Sequence, residues 1–334
     1  MKRILFVITT VLLFTSCQQE EFRIVEKSDC FKETRKRVIP DIDGFGPIYE
    51  AEGHRFIQGQ RFIPGYPSRL AYFYQSAEPG VGRKFGYYDF DLKEGGLFSS
   101  RISDSDVIPA FNQFGWVAYA KDGKLEVEKE NGDSLATVFV SGTRLSVNGW
   151  SGNGDTLYSS VQTVGFKSYI TATGWKTDSL AVGSPFSTPF ETDPVRNWYF
   201  QTEFNTSKIV VFTKGGDTVM VLEDPLGAAF NLKVIREKDE ICWISVSDPF
   251  SDGATHRIIC YHLENQTFRQ VRKSGVYHGY SRGDLDVSPD GSRMIANWLT
   301  WRLEEKTVLV QSEELRIMTL DGCDERPLVL PEPQ

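Results

Sequence analysis

The chain is poor in the residues that most often carry chemistry. Its 334 residues include only 4 histidines and 5 cysteines. No two cysteines are spaced as CxxC, which argues against a zinc or redox motif. HExxH and the P-loop pattern are missing, and with them the commonest signals of metalloproteases and phosphate-binding loops. There is no long basic tract, and acidic residues outnumber basic ones 45 to 37, so a nucleic-acid partner is not expected. No sustained 3.6-residue apolar period runs past twelve residues, which excludes a helical architecture. After the first twenty residues no apolar run is long enough to span a bilayer.

What is present begins with an export signal. Lys2 and Arg3 precede the apolar run 4–14, ILFVITTVLLF, and Thr15, Ser16 and Cys17 close it. A short charged start and a brief apolar core read as a signal peptide. Leu13-Phe14-Thr15-Ser16-Cys17 resembles a bacterial lipobox, in which the Cys is lipidated and becomes the first mature residue. Gln18-Gln19-Glu20-Glu21 resembles the acidic signal that directs some lipoproteins to the cell surface; an acidic solvated tether would read the same way. The expected divisions are a signal peptide over 1–16, a lipid-anchored tether and N-terminal segment over 17–44, and one folded domain over 45–330. Loss of Lys2 and Arg3 would leave 35 basic residues against 45 acidic ones. A hydrophobic content of 40% over some 300 residues suffices for a large core. Two pairings of the remaining cysteines are open, Cys242 with Cys260 in consecutive strand-like runs and Cys30 with Cys323 at the chain's two ends. Four free thiols are the alternative.

The domain repeats itself. LDVSPDGSRMIANW, residues 285–298, joins a strand, a Ser-Pro-Asp-Gly turn and a second strand. Trp150–Tyr158 has the same grammar, Pro67–Tyr74 is a degenerate copy, and Phe114–Ala120 is a fourth. Short strand-like runs joined by Gly, Asp and Asn turns follow each copy, as in 84–100, 121–140, 167–182 and 315–330. The period is about 40–50 residues, the length of a four-stranded propeller blade. Six units start near residues 55, 106, 143, 186, 229 and 283. The predicted fold is therefore all-β, a six-bladed β-propeller of four-stranded antiparallel blades; a β-sandwich explains the strands but not the recurring turn.

The stretch LDVSPDGSRMIANW with Leu315–Gly322 after it resembles the repeat of TolB-like six-bladed propellers, as do the Asp89-Phe90-Asp91-Leu92 and Leu320-Asp321-Gly322 endings. The resemblance implies a blade and its inner corner, not an activity.

In a propeller the first strand of every blade lines a central channel, and ligands usually enter at one mouth. The richest segment ahead of a first strand is 276–284, which supplies His278, Tyr280, Arg282 and Asp284 as candidate ligand-binding residues. Tyr rings stack on sugars, and Arg and Asp hydrogen-bond hydroxyls or carboxylates. A solvated loop covering the blade edge is the competing reading. Thinner candidates are 52–55, with His54 and Arg55, and 191–198, with Glu191, Asp193 and Arg196. Asp-Ser/Thr-apolar triplets at 133, 155, 178 and 217 resemble an O-glycosylation signal of some exported proteins, yet a turn entering a strand writes the same letters. No cofactor or metal is expected. The function expected is a lipid-anchored envelope platform for a glycan or an envelope protein; the alternative is a carbohydrate-active lyase or hydrolase with its site at the channel mouth.

Overall fold

The computed structural model describes residues 25–33, 48–51, 56–75, 82–105, 107–130, 132, 134–247, 255–274, 278–304 and 308–334; for 48–51, 56–58, 278–284, 299–304 and 308–313 it describes the backbone alone. Cys17, His54 and Arg55 lie outside the described residues.

Six antiparallel sheets follow one another along the chain, and they form a six-bladed β-propeller. Blade 1 runs through Phe56–Ile63, Tyr66–Gln75, Lys84–Asp89 and Glu94–Leu97. The first strands of blades 2 to 6 are Ala110–Phe111, Ser146–Trp150, Glu191–Asp193, Ala228–Ile235 and His278–Val287. The unit starts expected at 106, 143, 186, 229 and 283 fall within five residues of these.

Second strands explain themselves. Leu70-Ala71-Tyr72-Phe73-Tyr74 is buried without a break, as is Ile241–Val246. A strand covered by neighbouring blades on both faces reads as a continuous apolar run rather than as alternation. The core is accordingly not one mass but six apolar clusters, each lying between adjacent blades. The sixth cluster joins Phe62, Leu70 and Tyr72 of blade 1 to Ile295, Leu315 and Ile317 of blade 6, so the ring is closed.

The Ser-Pro-Asp-Gly turn is the corner between first and second strands of blade 6. Ser288 N–H donates to Arg293 O at 2.8 Å, and Gly291 N–H donates to Ser288 O at 2.8 Å. Gly291 sits at φ +65°, a left-handed conformation that favours glycine. Blade 3 builds the same corner from Ser151 and Gly154, and blade 2 from Asn112 and Gly115. Blades 4 and 5 put Asn197 and Asp239 in the left-handed position, the two non-glycine residue types that best tolerate it. The motif is thus more regular in space than in letters.

Both chain ends contribute strands. Val25–Glu33, within the span expected as tether and N-terminal segment, lies parallel to Thr267–Ser274 and is the fifth strand of blade 5. Ile48–Ala51 lies parallel to Val308–Gln311, and Arg326–Pro327 pairs with Arg316 and Ile317, completing blade 6. The C-terminal residues then cross to blade 1, where Tyr72 Oη donates to Pro331 O at 2.6 Å and Leu97 N–H donates to Gln334 O at 3.0 Å. Both cysteine pairs are disulfides. Cys30–Cys323 ties the added strand of blade 5 to the turn before Arg326, and Cys242–Cys260 bridges second and third strands of blade 5.

Asp224, buried in the connection into blade 5, accepts Trp243 Nε1–H at 2.7 Å and Leu226 N–H at 2.8 Å. Burial pushes its carboxyl above the usual carboxylate range, with those bonds and Arg257 opposing. A raised native pKa means that the folded chain holds the proton longer than the unfolded one, so the stabilisation is complete in acid and fades as pH rises through the native value. The stability gap between wild type and Asp224→Asn is therefore expected to be widest near pH 4 and to narrow toward pH 7 in urea unfolding. A gap that widens with pH would contradict this assignment.

Candidate functional site

The first strands of all six blades wall one cavity of about 860 Å³. It runs from Ile108, Arg144 and Pro189, in connections between blades, to Gln113, Gly152, Arg236 and Pro289 at the corners. This is the central channel.

Its side chains are aimed by irregular strands. The first strands of blades 1, 3, 5 and 6 each break register, at Gln58/Arg61 and Phe62/Ile63, Val147/Gly149, Phe230/Lys233 and Tyr280/Leu285. Gly59 and Asn231 take positive φ, +60° and +47°, within two of these bulges. A β-bulge inserts a residue and re-aims those after it. Arg61 and Lys233 stand two residues beyond Gly59 and Asn231, and both line the channel. A side chain at Gly59 would meet Ile108, in the connection to blade 2, at 3.0 Å, so this position is held by space as well as by φ.

Lys233 is the hub of the charged residues. It is buried, its Nζ contacts Glu191 Oε1 of blade 4, and it lies 3.6 Å from Asp286 Oδ1 of blade 6. Asp286 Oδ2 also accepts Phe62 N–H of blade 1 at 2.5 Å. Desolvation pushes the Asp286 carboxyl up, opposed by Lys233, Arg61 and the Phe62 amide. One lysine and two carboxylates thus link four consecutive blades at the channel wall.

The neutral channel side chains also serve as latches. Trp150 Nε1–H donates to Ala110 O at 3.0 Å, and Asn112 Nδ2–H to Gly154 O at 3.0 Å. Asn148 Nδ2–H donates to Phe186 O at 3.0 Å, and Asn231 Nδ2–H to Leu285 O at 2.9 Å. Each bond joins neighbouring blades.

Arg236 differs. It lies in the corner of blade 5 and its Nη1–H donates to Gln113 Oε1 of blade 2 at 3.3 Å. Blades 5 and 2 stand opposite in a six-membered ring, so this pair spans the corner-side mouth. The surrounding walls lower the guanidinium's pKa, with Glu191 and Asp193 opposing.

Of the residues expected at the site, His278, Tyr280, Arg282 and Asp284 lie in the first strand of blade 6 rather than in a loop ahead of it. His278 and Tyr280 pair with Thr300 and Trp298; the side chains of all four are outside the described residues. Gly279-Tyr280-Ser281-Arg282-Gly283 also spells GxSxG. The nucleophile elbow needs that pattern at a strand-to-helix turn, whereas here it lies within a strand. Glu191 does reach the channel, while Asp193 is spent on Arg196, at 2.8 Å, and on the Val195 and Arg196 amides. Thr156, one of the hydroxyls in the Asp-Ser/Thr-apolar triplets, is buried. Glu240, Cys242 and Cys260 come together like metal ligands, but the two sulfurs are joined in the disulfide and cannot coordinate. Sequence reading missed Arg61, Arg144, Lys233, Arg236 and Asp286. Asp286 lies inside the repeat motif, in the strand that the motif predicts.

No family model and no curated protein matches the chain. Solved structures do. A putative TolB from Agrobacterium tumefaciens is 15% identical, with 66% of this chain and 79% of that one aligned at a TM-score of 0.47. TolB from Acinetobacter baumannii is 10% identical over 80% of this chain and 53% of that one, at 0.36, so the chain spans about half its length. The hydrazine synthase of Kuenenia stuttgartiensis is 10% identical over 80% and 78%, at 0.43. At such identities the similarity is one of fold.

Proposed function

We propose that the chain is a lipid-anchored propeller of the bacterial cell envelope, exported through residues 1–16 and held by Cys17, that takes a glycan or an envelope protein at a mouth of its central channel. The observation that carries this reading is the channel itself, a cavity of about 860 Å³ walled by every blade, within the size range of ligand sites. Two disulfides support export, since such bonds persist in oxidising compartments. The two described carboxylates of the channel are both held by Lys233, an arrangement that serves blade closure better than acid–base chemistry.

Two measurements test the proposal. Growth with an alkyne-tagged fatty acid should label the wild-type chain and leave Cys17→Ala unlabelled; an unlabelled wild type removes the anchor. The full-length chain in detergent, screened by thermal shift against glycans and by co-purification from membranes, should show a raised melting temperature or a retained envelope protein, because a ligand specific to the folded state stabilises it by mass action. Silence in both screens removes the platform.

A further inference from the structure

We propose that the channel binds an oxyanion, a saccharide-sized ligand carrying carboxylate or phosphate groups, through Arg61 and Arg236, with Arg144 adding positive charge at the opposite mouth. This rests on the reading of the channel as the binding site and names the chemistry it selects.

The described lining carries five cationic side chains, Arg61, Arg83, Arg144, Lys233 and Arg236, against two acidic ones, Glu191 and Asp286. The chain as a whole has a net charge of −8. The channel is thus opposite in sign to the protein around it, and composition does not account for that. Walls of low polarizability concentrate such a field inside a cleft.

The bonding capacity of the lining points the same way. Glu191 and Asp286 are engaged by Lys233. Asn112, Asn148 and Asn231 are spent on blade-to-blade bonds. Arg83 lies over the Phe73 ring and donates to Ser103 O and Ser105 O. Ser146, Thr192 and Thr202 offer hydroxyls, and the charged groups that remain are guanidiniums. Arg61 donates to Gln60 O at 2.8 Å and Arg236 to Gln113 Oε1, while Arg144 makes no ion pair or hydrogen bond among the described residues. Each guanidinium carries five N–H donors and accepts nothing. Donors left over at several arginines match carboxylate and phosphate oxygens, which take paired N–H bonds in a fork. Phe111 and Phe190 in the same lining supply apolar surface for the body of such a ligand. The cavity volume suits a small molecule rather than a polymer.

The test is calorimetric titration of the full-length chain in detergent, at low ionic strength, with sodium phosphate, galacturonate and neutral galactose as probes. Phosphate or galacturonate is expected to bind, and the stronger of the two identifies the source of the oxyanion. Arg61→Gln and Arg236→Gln should each weaken that binding by about tenfold or more. Arg61→Lys should restore part of it, and Lys208→Gln, on the outer part of blade 4, should leave it unchanged. Melting curves on each variant confirm that the fold is kept; among the described residues Arg61 and Arg236 make one hydrogen bond each, so both substitutions are mild. The proposal is overturned if neither anion binds, or if both Gln variants bind as the wild type does. Galactose binding as tightly as galacturonate would also overturn it while leaving the platform intact, whereas no binding by any probe together with no retained membrane partner removes both.

Discussion

Replacing Lys233 with methionine is expected to lower the unfolding free energy by about 3–5 kcal/mol, the usual loss when one partner of a buried ion pair is removed. The reason lies in what stays behind. Asp286 is buried, and Lys233 is its one ion-pair partner within 4 Å among the described residues. Without the ammonium, the carboxylate must either remain charged in a dry wall or take up a proton. At about 1.4 kcal/mol per pH unit, protonating an ordinary carboxyl at pH 7 costs about 4 kcal/mol, which caps the damage. Glu191 is more open to water and adds little. Two consequences distinguish this account from a simple packing defect. The deficit of Lys233→Met should shrink as pH falls from 7 toward 4, since the native variant then binds a proton that the unfolded chain does not. Adding Asp286→Asn should recover much of the loss, because the amide no longer needs a countercharge and can still accept from Phe62 N–H. Urea unfolding of the two single variants and the double variant at both pH values measures all of this. A deficit that ignores pH and is unrelieved by the second change would assign Lys233 a packing role only.

Loss of the Cys30–Cys323 disulfide is expected to cost about 3–5 kcal/mol, at the upper end for a single cross-link. The bond closes a loop of 293 residues, against 18 for Cys242–Cys260, and the entropy withheld from the unfolded chain grows with loop length. Among the described residues it also fastens a strand that pairs only with the outer strand of blade 5. Denaturant unfolding of Cys30→Ser/Cys323→Ser against wild type gives the size of the loss. The two bonds should also separate under reductant. Cys242 and Cys260 are fully buried whereas Cys30 and Cys323 are partly exposed, so mild dithiothreitol should open the long loop first, as mass spectrometry after alkylation would show. Simultaneous reduction would mean that the blade-5 strand does not protect its own core bond.

Much of the fold could be read from the letters because blade geometry is local. Five of the six corners carry a left-handed residue, second strands such as Leu70–Tyr74 are apolar runs, and both leave marks in the sequence. The corners of blades 4 and 5 are harder to read, since Asn197 and Asp239 do the work that glycine does in blades 2, 3 and 6. The chain ends were illegible for a different reason. Val25–Glu33 pairs with residues some 240 positions away, and no local pattern states which edge it will join. The channel was the hardest part. A bulge shifts the two-residue period of a strand, so alternation does not say that Arg61 and Lys233 point inward. Nor does sequence spacing place Glu191, Lys233 and Asp286 together; only ring closure does.

The added strand of blade 5 also bears on orientation. Val25 pairs with Phe268, two residues after the turn at 263–266, and Leu263 N–H of that turn donates to Asp239 O in the blade-5 corner. The strand therefore sets out from the same face as the corners, the face spanned by Arg236 and Gln113. With the anchor proposed at Cys17, seven residues separate it from Val25, a chain length that spans about 25 Å at most. So short a separation, fixed at the rim, would turn the corner face toward the bilayer and leave the opposite mouth, with Arg144, looking outward. A solute would then meet the channel from the side away from the membrane, and a protein embedded in that membrane would meet the corners.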